Sequence, residues 1–142
     1  GTMGNLIAVL THCGRGDEMI LGDRAHIFEH EAGGSAALGG VHAHTIPVNP
    51  DGTLPLEGIR AAIREDDFHY PVTRLVCLEN SQGAMGGIPI TAEYTRTVRA
   101  VCDEKGLKLH IDGARIWNAS VATGIPALFM NATISGASAI IM

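Results

Sequence analysis

In the stretch LHIDGARIWNAS, residues 109–120, a strand-like alternation gives way to a helix-like run, and Asp112 and Arg115 stand at the junction. A carboxylate held dry at a strand end can act on a ring nitrogen; the plainer use of Asp112 is to cap a helix starting near Ala114. Arg115 offers a planar fork suited to gripping a carboxylate with two prongs, against the plainer use of a solvated helix residue. Gly1-Thr2-Met3-Gly4-Asn5 opens an apolar helix, whose unpaired N–H groups and positive end favour an anion such as a phosphate, or simply mark a capped start. His26 and His30 fall one helical turn apart with Glu29 and Glu31 beside them, and His42-x-His44 follows. No H-E-x-x-H occurs and His42 and His44 have no evident third ligand, so a metal centre ranks behind the other readings and none is assigned. ENSQGAMGG, residues 79–87, contains neither G-x-S-x-G nor a phosphate-binding G-x-x-x-x-G-K-[ST]. Cys77 reads as a small buried hydrophobe.

Placing these groups requires alternating helices and strands. Met3, Leu6, Ile7, Leu10 and Cys13 at helical spacing predict a helix over 2–13 that stops at Gly14 and Gly16. Residues 18–22 suit a buried strand, and 24–31 a short helix ending at Gly33-Gly34. VHAHTIPV at 41–48 alternates as a strand, with Pro47 fitting a sheet edge. Pro50-Asp51-Gly52 is a turn, and Pro55 suits the first position of a helix over 56–64. A strand over 73–80 leads into the glycine-rich loop. Thr91 then N-caps a helix over 92–105 that closes at Gly106, and LKLHID at 107–112 returns as a strand. This rhythm predicts an α/β fold with a mostly parallel sheet covered on both faces, in three αβα layers. In such sheets ligands bind beyond the carboxyl ends of the strands, which puts Glu79-Asn80, Asp112 and a facing helix N-terminus on one rim.

Composition narrows the partners. The 142 residues are 46% apolar and 18% charged with a net charge of −5, which is globular and gives no general attraction to nucleic acid or an anionic membrane. No apolar run approaches the roughly 20 residues that span a bilayer, and no basic-then-apolar leader opens the chain. Cys13, Cys77 and Cys102 are odd in number and lack a C-x-x-C pair, so a reducing, cytoplasmic setting is expected. The chain starts on a motif and stops at the strand-like ASAIIM, which reads as an internal piece or a truncated product.

Four stretches in order, GTMGN (1–5), HIFEHEAGG (26–34), LENSQGAMGG (78–87) and HIDGARIWNAS (110–120), resemble the L-threonine aldolases of the wider β-eliminating lyase group over about residues 1–126. The resemblance implies pyridoxal 5'-phosphate as cofactor and an aspartate-aminotransferase-like (fold type I) large domain, here truncated at both ends. It matches Gly1 and Thr2 to the phosphate-binding helix start and His26 to the imidazole that stacks on the pyridine ring. Asp112 matches the carboxylate that pairs with the ring nitrogen, and Arg115 the guanidinium that helps hold the substrate carboxylate. The implied reaction cleaves a β-hydroxy amino acid such as threonine to glycine and an aldehyde, with a homo-oligomer expected for the full-length family member.

Two departures shape the expectation. The family's E-N-T-H is Glu79-Asn80-Ser81-Gln82 here, so a histidine proposed to act near the substrate hydroxyl is replaced by Gln82, which cannot accept a proton at neutral pH. The family's Schiff-base lysine lies roughly thirty residues beyond the aspartate in a Ser-Lys-Gly stretch, and neither Lys105 nor Lys108 matches it. The sequence therefore predicts little or no turnover by this chain. The alternatives are a non-catalytic product that associates with a full-length relative and a related β-eliminating lyase using the same cofactor.

Overall fold

The computed structural model describes residues 1–127 and 130. Helix α1 (Thr2–His12) leads to strand β1 (Asp17–Gly22), the short helices α2 (His26–Glu29) and α3 (Gly34–Ala37), and strand β2 (His42–Ile46). Helix α4 (Leu56–Ala62), strand β3 (Val72–Glu79), helix α5 (Ala92–Lys105), strand β4 (Lys108–Asp112) and helix α6 (Ile116–Thr123) complete it. The four strands pair in the order β2-β1-β3-β4, every neighbour parallel.

Strand alternation sends successive side chains to opposite faces and so divides the core in two. Ile20, Val76, Leu78, Leu109 and Ile111 meet Ile59 of α4 and Val98 and Val101 of α5 on one side. Met19, Leu21, Leu75 and Cys77 meet Val9 and Cys13 from α1 and its end on the other. A parallel sheet apolar on both faces with helices on each is the three-layer arrangement expected from the sequence. No helix among the described residues is long and apolar enough to cross a membrane.

Local signals explain most boundaries. Thr91 Oγ1 accepts from the Tyr94 N–H at 3.1 Å and Gly106 ends α5 at φ +70°, where a residue with a Cβ would be strained. β2 lies at the sheet edge, as Pro47 suggested. Gly22 closes β1 where a Cβ would lie 2.4 Å from Val48 Cγ2, so glycine lets the segment after β2 pass close over the strand end.

Two expectations are corrected, and one face that the sequence left open is defined. The helix expected over 24–31 is confined to His26–Glu29, because Ala32 and Gly33 turn the backbone to positive φ and restart a second short helix at Gly34. Pro55 is the N-cap of α4 and not its first helical residue. The apolar stripe of α1 is not its buried face: Met3, Ile7 and Leu10 are 68%, 50% and 43% exposed, while Gly4, Asn5, Ala8 and Val9 are buried. The small side chains of Gly4 and Ala8 let α1 lie close to the sheet, and Asn5 finds polar partners there. The strand-like run at 137–142 lies outside the described residues.

Candidate active site

β4 delivers Asp112 to the carboxyl end of the sheet, where it is 5% exposed. Its two oxygens have different partners. Oδ1 accepts from the Ala114 N–H at 3.1 Å, which caps the turn after β4, and Oδ2 accepts from the Asn5 side-chain amide at 2.8 Å. α6 starts only at Ile116 with Arg115 in the N-cap position, so Asp112 holds a turn and is not the helix cap.

The same Asn5 nitrogen donates to Glu31 Oε1 at 2.8 Å, and the Asn5 carbonyl oxygen lies 3.0 Å from His110 Nε2. His26 Nδ1 lies 3.0 Å from Glu31 Oε1. His26, Glu31 and Asp112 thus place ligand-type atoms within 4.8 Å of one another. Between the two carboxylates the gap is bridged by the Asn5 amide, so hydrogen-bond donors already serve them.

Beside this cluster a cavity of about 250 Å³ opens between Arg24, His26, His30, Glu79, Gly83 and Arg115. Glu79, at the end of β3, organises its floor. Glu79 Oε2 accepts from the His26 N–H at 2.9 Å, and Oε1 accepts from the Gly83 N–H at 3.0 Å and lies 3.3 Å from Arg115 Nη1. That ion pair holds the half-exposed guanidinium over the cavity. Gln82 does not line it. Its amide is buried, with Nε2 donating to the Arg24 carbonyl at 3.0 Å and Oε1 accepting from the Met85 N–H at 3.1 Å, so Gln82 braces the glycine-rich loop.

A second cavity, about 210 Å³, lies along α1 between Thr2, Asn5, Leu6, Glu31, Ser35 and Leu38. Gly1 N-caps α1 with no side-chain cap, and its carbonyl takes the N–H groups of Gly4 and Asn5. The N–H groups of Thr2 and Met3 therefore have no intrahelical acceptor.

His42 and His44 are elsewhere. Both turn Nδ1 toward the fully buried Glu18, at 3.0 and 3.3 Å, at the opposite end of the sheet from Asp112. Thr73 and Arg64 complete that carboxylate's partners. Burial raises the Glu18 pKa, but hydrogen bonds from Thr73 and His44 and the nearby charges outweigh it and hold it below the usual value. Among the thiols, burial pushes Cys13 and Cys102 to about 12 and raises Cys77 well above its ordinary value, so all three are poor nucleophiles.

The family described as Beta-eliminating lyase matches residues 1–135. The chain belongs to this family. Among β-eliminating lyase relatives, a probable low-specificity L-threonine aldolase of Arabidopsis thaliana is 54% identical over 89% of this chain and 36% of its own length. The low specificity L-threonine aldolase of Escherichia coli K12 is 44% identical over 87% of this chain and 36% of its own. The solved threonine aldolase of Leishmania major superposes with a TM-score of 0.77 at 32% identity, over 84% of this chain and 34% of that one. This chain thus spans about a third of the length of the proteins it resembles.

The residues present suit the pyridoxal phosphate that the family resemblance implies. The donors to Asp112 are neutral, an amide and a backbone N–H, and no lysine or arginine pairs with it among the described residues. A protonated aromatic nitrogen would supply the missing positive charge. His26 stands next to it, and the open N–H groups of α1 suit a phosphate. Sequence motifs marked Asp112, His26, Arg115, Gly1 and Thr2 and put Glu79 on the rim without a task; they missed Asn5, Glu31 and His110 as site residues. Each of these three stood inside a quoted motif, with no signal in its spacing to say what it does.

Proposed function

We propose that this chain forms the ring- and phosphate-binding part of a pyridoxal-phosphate-dependent threonine aldolase, cleaving a small β-hydroxy amino acid to glycine and an aldehyde. The observation that carries this is the buried Asp112 carboxylate at a strand end, with no lysine or arginine partner among the described residues and with His26 beside it. Bound pyridoxal phosphate supplies an electron sink for the pair of electrons released when a bond to the amino acid Cα breaks. Asp112 would hold the proton on the ring nitrogen, which keeps that sink open. His26 would pack against the ring, and Gly1 and Thr2 would hold the phosphate through α1's free N–H groups. Arg115, already directed over the cavity by Glu79, would orient the substrate carboxylate.

Gln82 supplies no base. It cannot accept a proton at neutral pH, and its amide is spent on the backbone. The cavity residues with a basic nitrogen are His26 and His30. His26 is assigned to the ring face in this reading, so His30, 61% exposed at its side chain, is the group that could take a proton from the substrate hydroxyl.

Both of the sequence's lysines stand toward the start of β4, the end opposite Asp112. Lys108 opens the strand that Asp112 closes, about 13 Å away at 3.3 Å per residue, and Lys105 precedes it at the end of α5. These 142 residues by themselves would therefore hold the cofactor without a covalent bond and turn over little threonine. Titration with pyridoxal phosphate should give saturable binding, and borohydride treatment should leave the protein mass unchanged. Absence of binding overturns the cofactor reading. A mass increase on a lysine, or robust glycine formation from threonine, overturns the non-covalent one.

A second reading, a non-catalytic chain that associates with a longer relative, draws on the exposed Met3, Ile7 and Leu10 beside the α1 cavity. Gel filtration with and without such a relative tests it; unchanged elution of both overturns it.

A further inference from the structure

We propose that Glu31 is a positioning residue whose single oxygen Oε1 ties the His26 imidazole to the Asn5 amide, and through Asn5 to Asp112. The two groups that would meet the cofactor ring are then set by one hydrogen-bonded unit. The inference rests on the cofactor reading above.

Donor and acceptor roles around Asn5 allow one assignment. Carboxylate oxygens accept, so the Asn5 nitrogen must face Glu31 and Asp112, at 2.8 Å each. The Asn5 oxygen is then turned to His110 Nε2 at 3.0 Å, and that nitrogen must carry a proton. By the same rule His26 donates through Nδ1 to Glu31 at 3.0 Å, which fixes the proton on Nδ1. His110 is fully buried on β4, two residues before Asp112, and anchors the amide from the sheet side.

The unit is dry: Asn5, Glu31 and Asp112 are 4%, 6% and 5% exposed. His26 is 36% exposed at its side chain, so water can solvate an imidazole that loses Glu31 but does not fix its ring angle or its tautomer. Glu31 would act through His26 and Asn5, the two side chains it bonds. Its essential property is an acceptor oxygen at one point, and Glu31→Gln keeps that oxygen while Glu31→Leu removes it.

The test has a cofactor-free arm. Nitrogen–proton correlation spectra of histidine side chains in the full chain should show His26 with its proton on Nδ1 in the wild type and in Glu31→Gln, and lose that preference in Glu31→Leu. The second arm is titration with pyridoxal phosphate, where Glu31→Leu should raise Kd at least about tenfold and Glu31→Gln change it by less than about threefold. A wild-type His26 protonated on Nε2 overturns the proposal by itself, even if Glu31→Leu fails to fold. Glu31→Gln weakening binding as much as Glu31→Leu also overturns it. A wild-type chain that shows the Nδ1 tautomer yet binds no cofactor sinks the functional reading and leaves the hydrogen-bonded unit standing.

Discussion

The Arg115 guanidinium lies so close over Gly83 that a Cβ on that glycine would sit 2.6 Å from Nη1. The neighbour is the far end of a flexible side chain, so the loop should accept a methyl group by displacing the guanidinium. Gly83→Ala is expected to keep the thermal midpoint within about 3 °C. It should weaken binding of a carboxylate-bearing amino acid to the cofactor-loaded chain by about tenfold, as Arg115→Ala does. Calorimetric titration with threonine checks it; unchanged affinity in both variants removes Arg115 from the site.

Asp112→Ala deletes the carboxylate proposed to face the ring nitrogen and leaves the Asn5 amide and the Ala114 N–H short of an acceptor. Pyridoxal phosphate affinity should fall by at least about tenfold. Inorganic phosphate, competing at the start of α1, should bind as in the wild type. Fluorescence titration with each ligand separates the two effects.

Glu18 gives a pH dependence with a defined sign. Its folded pKa lies below its unfolded value, so the stabilisation is present above the usual carboxylate range and is lost as pH falls through the folded value. Denaturant midpoints should drop in acid below about pH 4.5, and Glu18→Gln should flatten that drop. At neutral pH the variant should be less stable by about 3 kcal/mol, because Arg64 and the two histidines lose a buried carboxylate.

Tyr94 fastens the loop before α4 to α5. Its hydroxyl donates to the Leu54 carbonyl and accepts from the Leu54 N–H, both at 2.8 Å. Tyr94→Phe keeps the ring packing and leaves both backbone groups unpaired, an expected loss of about 2 kcal/mol by urea unfolding. Burial also raises the phenol to about 12, so the absorbance change on ionisation should appear only in strong alkali.

Local signals made the elements readable. Thr91 and Gly106 bracket α5 as expected because a hydroxyl cap and a left-handed glycine act within their own turn. The split of the core followed from simple alternation in β1, β3 and β4. Asp112 could be placed at a strand end for the same reason. Asn5 could not be assigned, because its partners lie 26 to 107 residues away and no spacing encodes such a meeting. Glu18 hid inside an apolar run, and its hold on His42 and His44 depends on β1 and β2 lying side by side. The outward turn of Met3, Ile7 and Leu10 was equally illegible, since a helical period reports a face without saying whether that face is covered.

The contact between Asn5 and Asp112 also sets a schedule for biosynthesis. Among the described elements α1 is made before β4, so Asn5 and Asp112 cannot meet until residue 112 has left the ribosome. Until then the Asn5 amide can reach Glu31 but waits without Asp112 and His110. A pause in synthesis before β4 would leave Glu79 and its partners at the end of β3 without the carboxylate of Asp112 beside them.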